Sequence, residues 1–178
     1  SRDGRCLARS GNRGVMSSPS DHSLAGRHAL VTGGGSGIGA AVVHQLVAAG
    51  VKVTVLGRRR SVLETIVAHY PDQLHAVVAD VADAAQVSVA FASARQHFGP
   101  VHILINNAGQ AASAPLLKTD VAMWQQMLAV NLTGTFLCSQ DALPDMLQAG
   151  WGRIVNIAST AGLAGYAYVS AYCAAKHG

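Results

Sequence analysis

Cysteine and charged side chains are scarce in this 178-residue chain, and these scarcities exclude several classes of protein. Three widely spaced cysteines, with no C-x-x-C pair, give no basis for a disulfide framework or a redox dithiol. The eight histidines form no H-E-x-x-H or H-x-x-H pair, so no metal site is predicted. No stretch approaches the roughly 18 uninterrupted apolar residues of a spanning helix, and the amino terminus lacks the pattern of a secretory signal. We therefore expect a cytoplasmic protein without a membrane or metal partner.

The net charge of +4 comes from the amino-terminal tail. Of 13 Lys and Arg residues, four arginines lie before residue 16, beside one of the nine acidic residues, which leaves nine basic against eight acidic residues afterwards. Glycine and serine interrupt any helical period there, so residues 1–23 are predicted to be a disordered basic and polar tail. Met16 suggests the natural start, with residues 1–15 upstream or non-native. No nucleic-acid partner is expected, since that alternative depends on the tail arginines alone.

From residue 24 to residue 178, short apolar runs alternate with helical stretches, which is typical of parallel β-α-β units in one domain. The predicted strands are too short and too continuously apolar for a half-exposed sheet, so we expect a sheet buried on both faces. They cover 28–31, 52–56, 74–78, 101–105 and 153–158. The expected fold class is α/β, a doubly wound parallel sheet (Rossmann fold) whose ligand crevice lies at the carboxyl ends of the strands.

Characteristic residues mark the predicted helix ends. Helices should end at Gly50 and Gly99, begin at Asp83, and carry a capping box made by Ser61 and its partner Glu64. A long helical region over about 120–149 contains Pro144, which should kink or divide it.

A glycine-rich turn, T-G-G-G-S-G-I-G over residues 32–39, follows the first predicted strand and leads directly into a helix. Glycines permit positive φ and let a phosphate approach the amino terminus of a helix, where unpaired N–H groups and the helix dipole favour negative charge. The turn therefore predicts a pyrophosphate cradle. No G-K-[ST] follows it, which disfavours a P-loop nucleotide hydrolase.

The spacing T-G-x-x-x-G-I-G resembles the cofactor signature of the short-chain dehydrogenase/reductase family. Asp80-Val81, the N-N-A-G run at 106–109 and Asn131 follow in the family's order, and the resemblance covers residues 24–178. It implies that the aspartate contacts adenine and that N-N-A-G supports the sheet and lines the cofactor. Seen alone, these could be a solvated strand end and a simple turn. The residues expected to bind cofactor are Gly33, Ser36, Gly37, Ile38, Gly39, Arg58, Asp80, Val81, Asn107, Ala108, Gly109, Tyr172 and Lys176.

The residue after the second strand bears on the choice between NAD and NADP. A site for NAD usually has a carboxylate there, which binds the ribose 2′-hydroxyl, whereas a 2′-phosphate needs a cation. Gly57 occupies that position, and Arg58, Arg59 and Arg60 follow it. Because a guanidinium matches phosphate geometry, we expect NADP with Arg58 as a contact. NAD is the alternative, in which the arginines are only a solvated helix surface.

A second group of candidate residues lies near the carboxyl end. Tyr172 and Lys176 are four residues apart and share one helix face, as in the family's Y-x-x-x-K motif. Ser159 and Asn131 fall at the family's serine and asparagine positions. The resemblance implies that Tyr172 exchanges the proton, Lys176 holds the nicotinamide ribose, Ser159 donates to the substrate oxygen and Asn131 orders a water. Singly, Ser159 could cap a strand and Asn131 could be a buried helix residue.

Ketone reduction needs this kind of acid, because a proton must reach the oxygen as hydride reaches the carbon. A positioned acid contributes typically about 10²- to 10⁴-fold. In the oxidising direction a tyrosine must act as base, and with a reference pKa of about 10 it needs nearby positive charge. The lysine and the oxidised nicotinamide together supply that charge.

The last predicted helix is still continuing at Gly178, whereas family members continue through two more strands and a substrate-binding loop. We therefore expect a sheet truncated before its last two strands. Our first choice of function is an NADP-dependent oxidoreductase that interconverts a ketone and a secondary alcohol, with a 3-oxoacyl thioester as substrate. The alternatives are an NAD-dependent 3-hydroxyacyl-CoA or hydroxybutyrate dehydrogenase and a catalytically silent, cofactor-binding regulatory protein.

Family members commonly form homodimers or homotetramers through the helices around 120–149 and from 170 onward. Several large apolar residues could serve such an interface, although core packing explains them equally well. They are Met123, Trp124, Met127, Phe136 and Leu137.

Overall fold

The computed structural model describes residues 23–178, which form a five-stranded parallel sheet in the order β3-β2-β1-β4-β5 with helices on both faces. In chain order the elements are β1 (His28–Thr32), α1 (Gly37–Ala48), β2 (Lys52–Gly57), α2 (Arg60–Val67), β3 (Leu74–Val78), α3 (Ala84–Phe98), β4 (Ile103–Asn106), α4 (Val121–Leu128), α5 (Gly134–Gln148), β5 (Arg153–Asn156) and α6 (Ser170–His177). The predicted fold class is confirmed. The predicted tail, apart from its last residue, lies outside the described residues.

The core consists of two apolar layers separated by the sheet. Successive residues of a strand point to opposite faces, so Leu30 packs into one layer with Phe91 of α3, and Val31 packs into the other with Val43 of α1. All of β1 and β4 is buried, as is most of β2. The prediction of strands buried on both faces is therefore confirmed for the centre of the sheet.

The same prediction is wrong for β5, in which every residue is exposed. This strand pairs with β4 alone, in a register that ends where Asn106 meets Asn156. No described strand covers its other side. β3, at the opposite edge, is only partly buried. An edge strand has fewer neighbours than a central strand, so a strand at the edge of the described sheet is less buried.

Three of the predicted helix ends are confirmed. Asp83 caps α3 by accepting hydrogen bonds from the N–H groups of Ala85 and Gln86, and glycines follow α1 and α3. The capping box is wrong, because α2 begins at Arg60 and already contains Ser61. The turn after β2 occupies only two residues, so α2 starts earlier than the local pattern suggested.

The long helical region is continuous from residue 121 to residue 148, with a change to π-helical geometry at Ala129–Thr133 and no break at Pro144. Residues 129–133 form a π-helical segment between α4 and α5, whereas α5 continues through Pro144. Proline removes one hydrogen bond to the carbonyl of Gln140, and both residues are exposed, so water can bind that carbonyl. π-helical segments are rare and frequently lie at functional sites.

Candidate functional site

The turn between β1 and α1 forms an open cradle at the carboxyl edge of the sheet. Gly33 and Gly37 have φ values of +64° and +55°, which L side chains rarely adopt. Ser36 is the N-cap of α1, but its side chain makes no capping hydrogen bond, and the first turn of α1 contains no acidic residue. A Cβ at Gly37 would meet no atom within 4 Å. The amino terminus of α1 is therefore free to bind an anion.

Gly39 lets α1 approach this turn closely. A Cβ at Gly39 would overlap the Gly33 carbonyl oxygen and lie 2.5 Å from Nδ2 of Asn107. The Asn107 amide donates hydrogen bonds to the carbonyl oxygens of Thr32 (3.0 Å) and Gly33 (3.2 Å). The predicted N-N-A-G turn therefore holds the predicted phosphate turn in place.

Thr32 completes this link and was not predicted as a site residue. Its hydroxyl accepts hydrogen bonds from the N–H groups of Asn107 (3.0 Å) and Ala108 (2.9 Å) and donates to the Ile105 carbonyl at 3.4 Å. Thr32 is 1% exposed. A hydroxyl residue at the end of a strongly apolar strand was the sequence signal for this role.

A cavity of about 650 Å³ opens beside the cradle, which is a typical size for a small-molecule or cofactor site. Nine of the predicted cofactor residues line it: Gly33, Ser36, Ile38, Arg58, Asp80, Val81, Asn107, Ala108 and Gly109. Eight further residues line it that were not among the predicted cofactor residues: Gly35, Leu56, Gly57, Arg59, Val62, Leu63, Ala79 and Val130. Gly37, Gly39, Tyr172 and Lys176 do not line it, although the two glycines shape the cradle.

The charges at the end of β2 face this cavity. Arg58 lies 3.7 Å from Asp80, measured between Nη1 and Oδ2, and its side chain is mostly exposed. Asp80 is fixed by its own turn, in which Oδ1 accepts the Ala82 N–H at 3.0 Å. With Arg59 also in the wall, the cavity has two guanidinium groups against one carboxylate. This arrangement suits a ligand that carries additional negative charge.

Helix α6 presents Tyr172 and Lys176 one turn apart. The Lys176 ammonium donates a 2.8 Å hydrogen bond to the Ile157 carbonyl and lies 5.9 Å from the centre of the Tyr172 ring. A Cβ at Gly109 would lie 3.8 Å from Lys176 Nζ. Lys176 therefore lies next to Gly109, which is one of the residues that line the cavity.

Ser159 lies two residues beyond the Ile157 carbonyl. The prediction that β5 extends to residue 158 is wrong, because β5 ends at Asn156, where its partner β4 also ends. Ser159 instead caps a 3₁₀ turn, Thr160–Gly162, and its Oγ accepts the Ala161 N–H at 3.1 Å. That turn packs against α6. A hydroxyl that accepts one hydrogen bond still has its own proton to donate.

Asn131 lies in the π-helical segment and is buried. Its Oδ1 accepts the Gln110 N–H at 3.2 Å, while Nδ2 donates to the carbonyls of Gln110 (2.8 Å) and Met127 (3.0 Å). The position of a Cβ at Gly109 is 2.8 Å from Oδ1. Asn131 thus joins the π-helical segment to the loop after β4, beside Lys176.

The remaining side chains with potential chemistry are cysteines and histidines. Cys138 and Cys173 are buried free thiols, and burial raises the pKa of Cys138 to about 12. Within residues 23–178, no three His, Cys, Asp or Glu side chains are arranged to hold a metal ion. The same part of the chain has no helix long and apolar enough to cross a membrane.

The predicted interface residues separate into two groups. Met127 is buried and Leu137 packs against one layer of the core, so core packing accounts for both. Trp124 and Phe136 are exposed large apolar side chains on α4 and α5, and Met123 is half-buried. An interface would specifically explain the apolar surface of Trp124 and Phe136 only.

The chain is similar to known proteins over most of its described length. Residues 27–178 match the family model described as short chain dehydrogenase. The chain is 40% identical over 149 residues to a 2-(S)-hydroxypropyl-CoM dehydrogenase of Xanthobacter autotrophicus, covering 82% of this chain and 58% of the relative. It is 37% identical to a 3-oxoacyl-[acyl-carrier-protein] reductase of Aquifex aeolicus, covering 80% of this chain and 59% of the relative.

A solved structure of actinorhodin polyketide ketoreductase with NADPH matches with a TM-score of 0.82 and 34% identity, covering 85% of this chain and 60% of that chain. The chain therefore spans about three fifths of the length of these proteins.

Proposed function

This chain belongs to the short chain dehydrogenase family, and on that premise we propose that it interconverts a ketone and a secondary alcohol with NADP as its cofactor. The observation that carries the proposal is the position of Lys176 beside Gly109, a residue that lines the cavity. Gly109 lines the cavity, and a Cβ at Gly109 would lie 2.8 Å from Asn131 Oδ1 and 3.8 Å from Lys176 Nζ. A nucleotide site and a proton-transfer group thus meet at one place.

The described residues fit a phosphorylated dinucleotide. The uncapped amino terminus of α1 and the open face of Gly37 suit a pyrophosphate, and Arg58 with Arg59 suits a ribose 2′-phosphate. Asp80 lines the same cavity, and we propose that it contacts the adenine, as the resemblance implies. When bound, the nicotinamide gives or accepts hydride. The similar ketoreductase was solved with NADPH, which supports this choice of cofactor.

The chain's own residues handle the proton. In ketone reduction, the Tyr172 hydroxyl donates its proton to the carbonyl oxygen, and the nearby Lys176 ammonium stabilises the negative charge left on the tyrosine. Ser159 uses its free O–H to donate a hydrogen bond to the same substrate oxygen. The Lys176 ammonium has three N–H donors and uses one of them for the Ile157 carbonyl. The other two suit the hydroxyls of the nicotinamide ribose. Asn131 fixes the loop beside Lys176 and would order a water there.

For the substrate we propose a 3-oxoacyl thioester. The relatives named as a 3-oxoacyl reductase and a polyketide ketoreductase support this class. For assembly we propose a homodimer or homotetramer in which exposed Trp124 and Phe136 contribute to the interface. A monomer at micromolar concentration in light scattering would contradict the assembly.

The test of activity is NADPH consumption over a panel of β-ketoesters and ketoacyl thioesters. The Tyr172→Phe protein should lose at least about 100-fold in kcat, since it loses the general acid, while its Kd for NADPH stays within about twofold. Tyr70→Phe, which removes a phenol hydroxyl outside the site, is the matched control. Near-normal turnover by Tyr172→Phe would refute the mechanism. NADPH binding without turnover by the unaltered protein would favour a silent cofactor-binding protein.

Cofactor choice has its own test. Arg58→Asp should shift the kcat/KM ratio from NADPH toward NADH by at least about tenfold, because a carboxylate repels the 2′-phosphate and can bind the 2′-hydroxyl. Arg60→Asp is the control, since Arg60 pairs with Glu64 at 3.8 Å and does not line the cavity. An unchanged ratio in Arg58→Asp would exclude a role for Arg58, and an NADH preference in the unaltered protein would assign NAD.

A further inference from the structure

Tyr168 has an unusual backbone conformation. Its φ is +66°, and within residues 23–178 it is the only residue other than glycine with a positive φ. For a bulky side chain this conformation is a genuine outlier, and such outliers tend to lie at ligand-binding and catalytic sites. Tyr168 precedes the first residue of α6 by two positions and Tyr172 by four.

This conformation accompanies a hydrogen bond between the two loops beside the proposed catalytic residues. The Tyr168 carbonyl accepts the Ala114 N–H at 2.7 Å, which joins the segment before α6 to the loop after β4. The start of that loop is held by Asn131, which bonds both the N–H and the carbonyl of Gln110. The stretch 110–114 is therefore fixed at one end by Asn131 and at the other by Tyr168.

Both loops are uncharged and present apolar side chains to solvent. Residues 107–117 and 157–169 contain no Asp, Glu, Lys, Arg or His. Tyr168 is 62% exposed, and Tyr166 and Leu163 of the same segment and Leu117 of the other loop are exposed as well. A glycine at position 168 would adopt this φ without strain and could accept the same backbone hydrogen bond. The aromatic ring is therefore the feature that a tyrosine provides here and a glycine would not.

We infer that Tyr168 is a specificity-determining residue. Its carbonyl positions the stretch 110–114, and its ring forms part of an apolar wall for the uncharged end of the carbonyl substrate. The inference rests on the proposed function and deepens it, because it assigns a substrate with an apolar or aromatic substituent next to the ketone. Tyr168 acts on specificity and does not take part in proton transfer.

Three variants separate the hydrogen bond from the ring. Tyr168→Gly keeps the backbone conformation and removes the ring, Tyr168→Phe keeps the ring, and Tyr168→Val disfavours the conformation because valine is β-branched. The probes are ethyl acetoacetate, which is small, and ethyl benzoylacetate, which carries an aromatic ring. The readouts are kcat and KM for both ketoesters, the Kd for NADPH, and hydrogen exchange of the Ala114 amide.

The glycine variant should raise KM for ethyl benzoylacetate about tenfold, as expected for the loss of one aromatic contact, and leave its kcat and its KM for ethyl acetoacetate within about twofold. The phenylalanine variant should match the unaltered protein with both ketoesters. The valine variant should exchange the Ala114 amide at least about tenfold faster, because the hydrogen bond is lost, with the Kd for NADPH unchanged.

Two results would overturn the inference. An equal KM for ethyl benzoylacetate in the glycine variant and the unaltered protein would show that the Tyr168 ring does not contact the substrate. An Ala114 exchange rate in the valine variant equal to that of the unaltered protein would exclude the hydrogen-bond role. If the unaltered protein turns over neither ketoester, the proposed reduction of these substrates fails by itself. Ala114 exchange and saturation-transfer NMR then decide the Tyr168 inference. The NMR experiment measures the binding of ethyl benzoylacetate to the NADP complex. Loss of the saturation-transfer signal of this ketoester in the glycine variant alone supports the wall.

Discussion

His28 is a buried histidine at the amino end of β1. Its side chain is 1% exposed and bridges two elements: Nδ1 lies 2.8 Å from the Gly99 carbonyl oxygen and Nε2 lies 2.9 Å from the Thr54 hydroxyl. Since the carbonyl can only accept, the neutral ring donates from Nδ1 and accepts the hydroxyl proton at Nε2. Protonation would place a charge in the core and force that hydroxyl to turn.

Burial, with a smaller contribution from the nearby His102, lowers the pKa of His28 from its usual 6.5 to about 4. The hydrogen bond to Gly99 and the more distant Asp145 act in the opposite direction but do not compensate. Because the folded pKa is depressed, the unfolded chain binds the proton more readily between pH 6.5 and pH 4. Stability is therefore full above pH 6.5 and falls as the pH drops through that window. The total loss is about 3 kcal/mol.

Urea unfolding at pH 7 and pH 4, for the unaltered protein and His28→Asn, measures this effect. Asparagine does not titrate, and its amide can still donate to the Gly99 carbonyl, so the variant carries a penalty that is constant with pH. The unaltered protein should lose about 3 kcal/mol more than the variant between the two pH values. An equal loss in both proteins, or an NMR titration of the His28 ring near 6.5, would refute the reasoning.

Three further predictions concern packing and reactivity. Gly39→Ala should weaken NADPH binding at least about tenfold and destabilise the fold by about 1–3 kcal/mol, because the methyl group overlaps the Gly33 carbonyl. Isothermal titration calorimetry would measure the binding and thermal unfolding the stability. Asp145→Ala should lower the free energy of unfolding by about 3 kcal/mol, since it removes a carboxylate that Arg95 Nε binds at 2.8 and 3.0 Å. Urea unfolding measures this loss, and a value below about 1 kcal/mol would contradict the prediction. Cys138 should resist a thiol reagent at pH 8 in the native protein and react on unfolding, because its pKa is raised to about 12. Mass spectrometry of the peptide that contains Cys138 would detect any labelling of the native protein, which would contradict this prediction.

Much of the fold was predictable because its signals are local. The glycine-rich turn, the Asp83 cap and the four-residue spacing of Tyr172 and Lys176 each depend on neighbours along the chain. The errors have local causes as well. Ser61 satisfied the capping-box pattern, but the short turn after β2 had already started α2, and a proline on the solvent side did not break α5. No local pattern indicated the π-helical segment.

The amino-acid sequence by itself determined the order of strands and helices, the glycine-rich turn before α1 and the helix face that carries Tyr172 and Lys176, since backbone geometry converts those spacings into fixed positions. Only the tertiary structure decided which residues meet across long separations. Thr32 bonds Asn107, 75 residues away, Lys176 bonds the Ile157 carbonyl, and Tyr168 bonds Ala114. These contacts depend on how separate elements pack, and no single stretch of the chain encodes them.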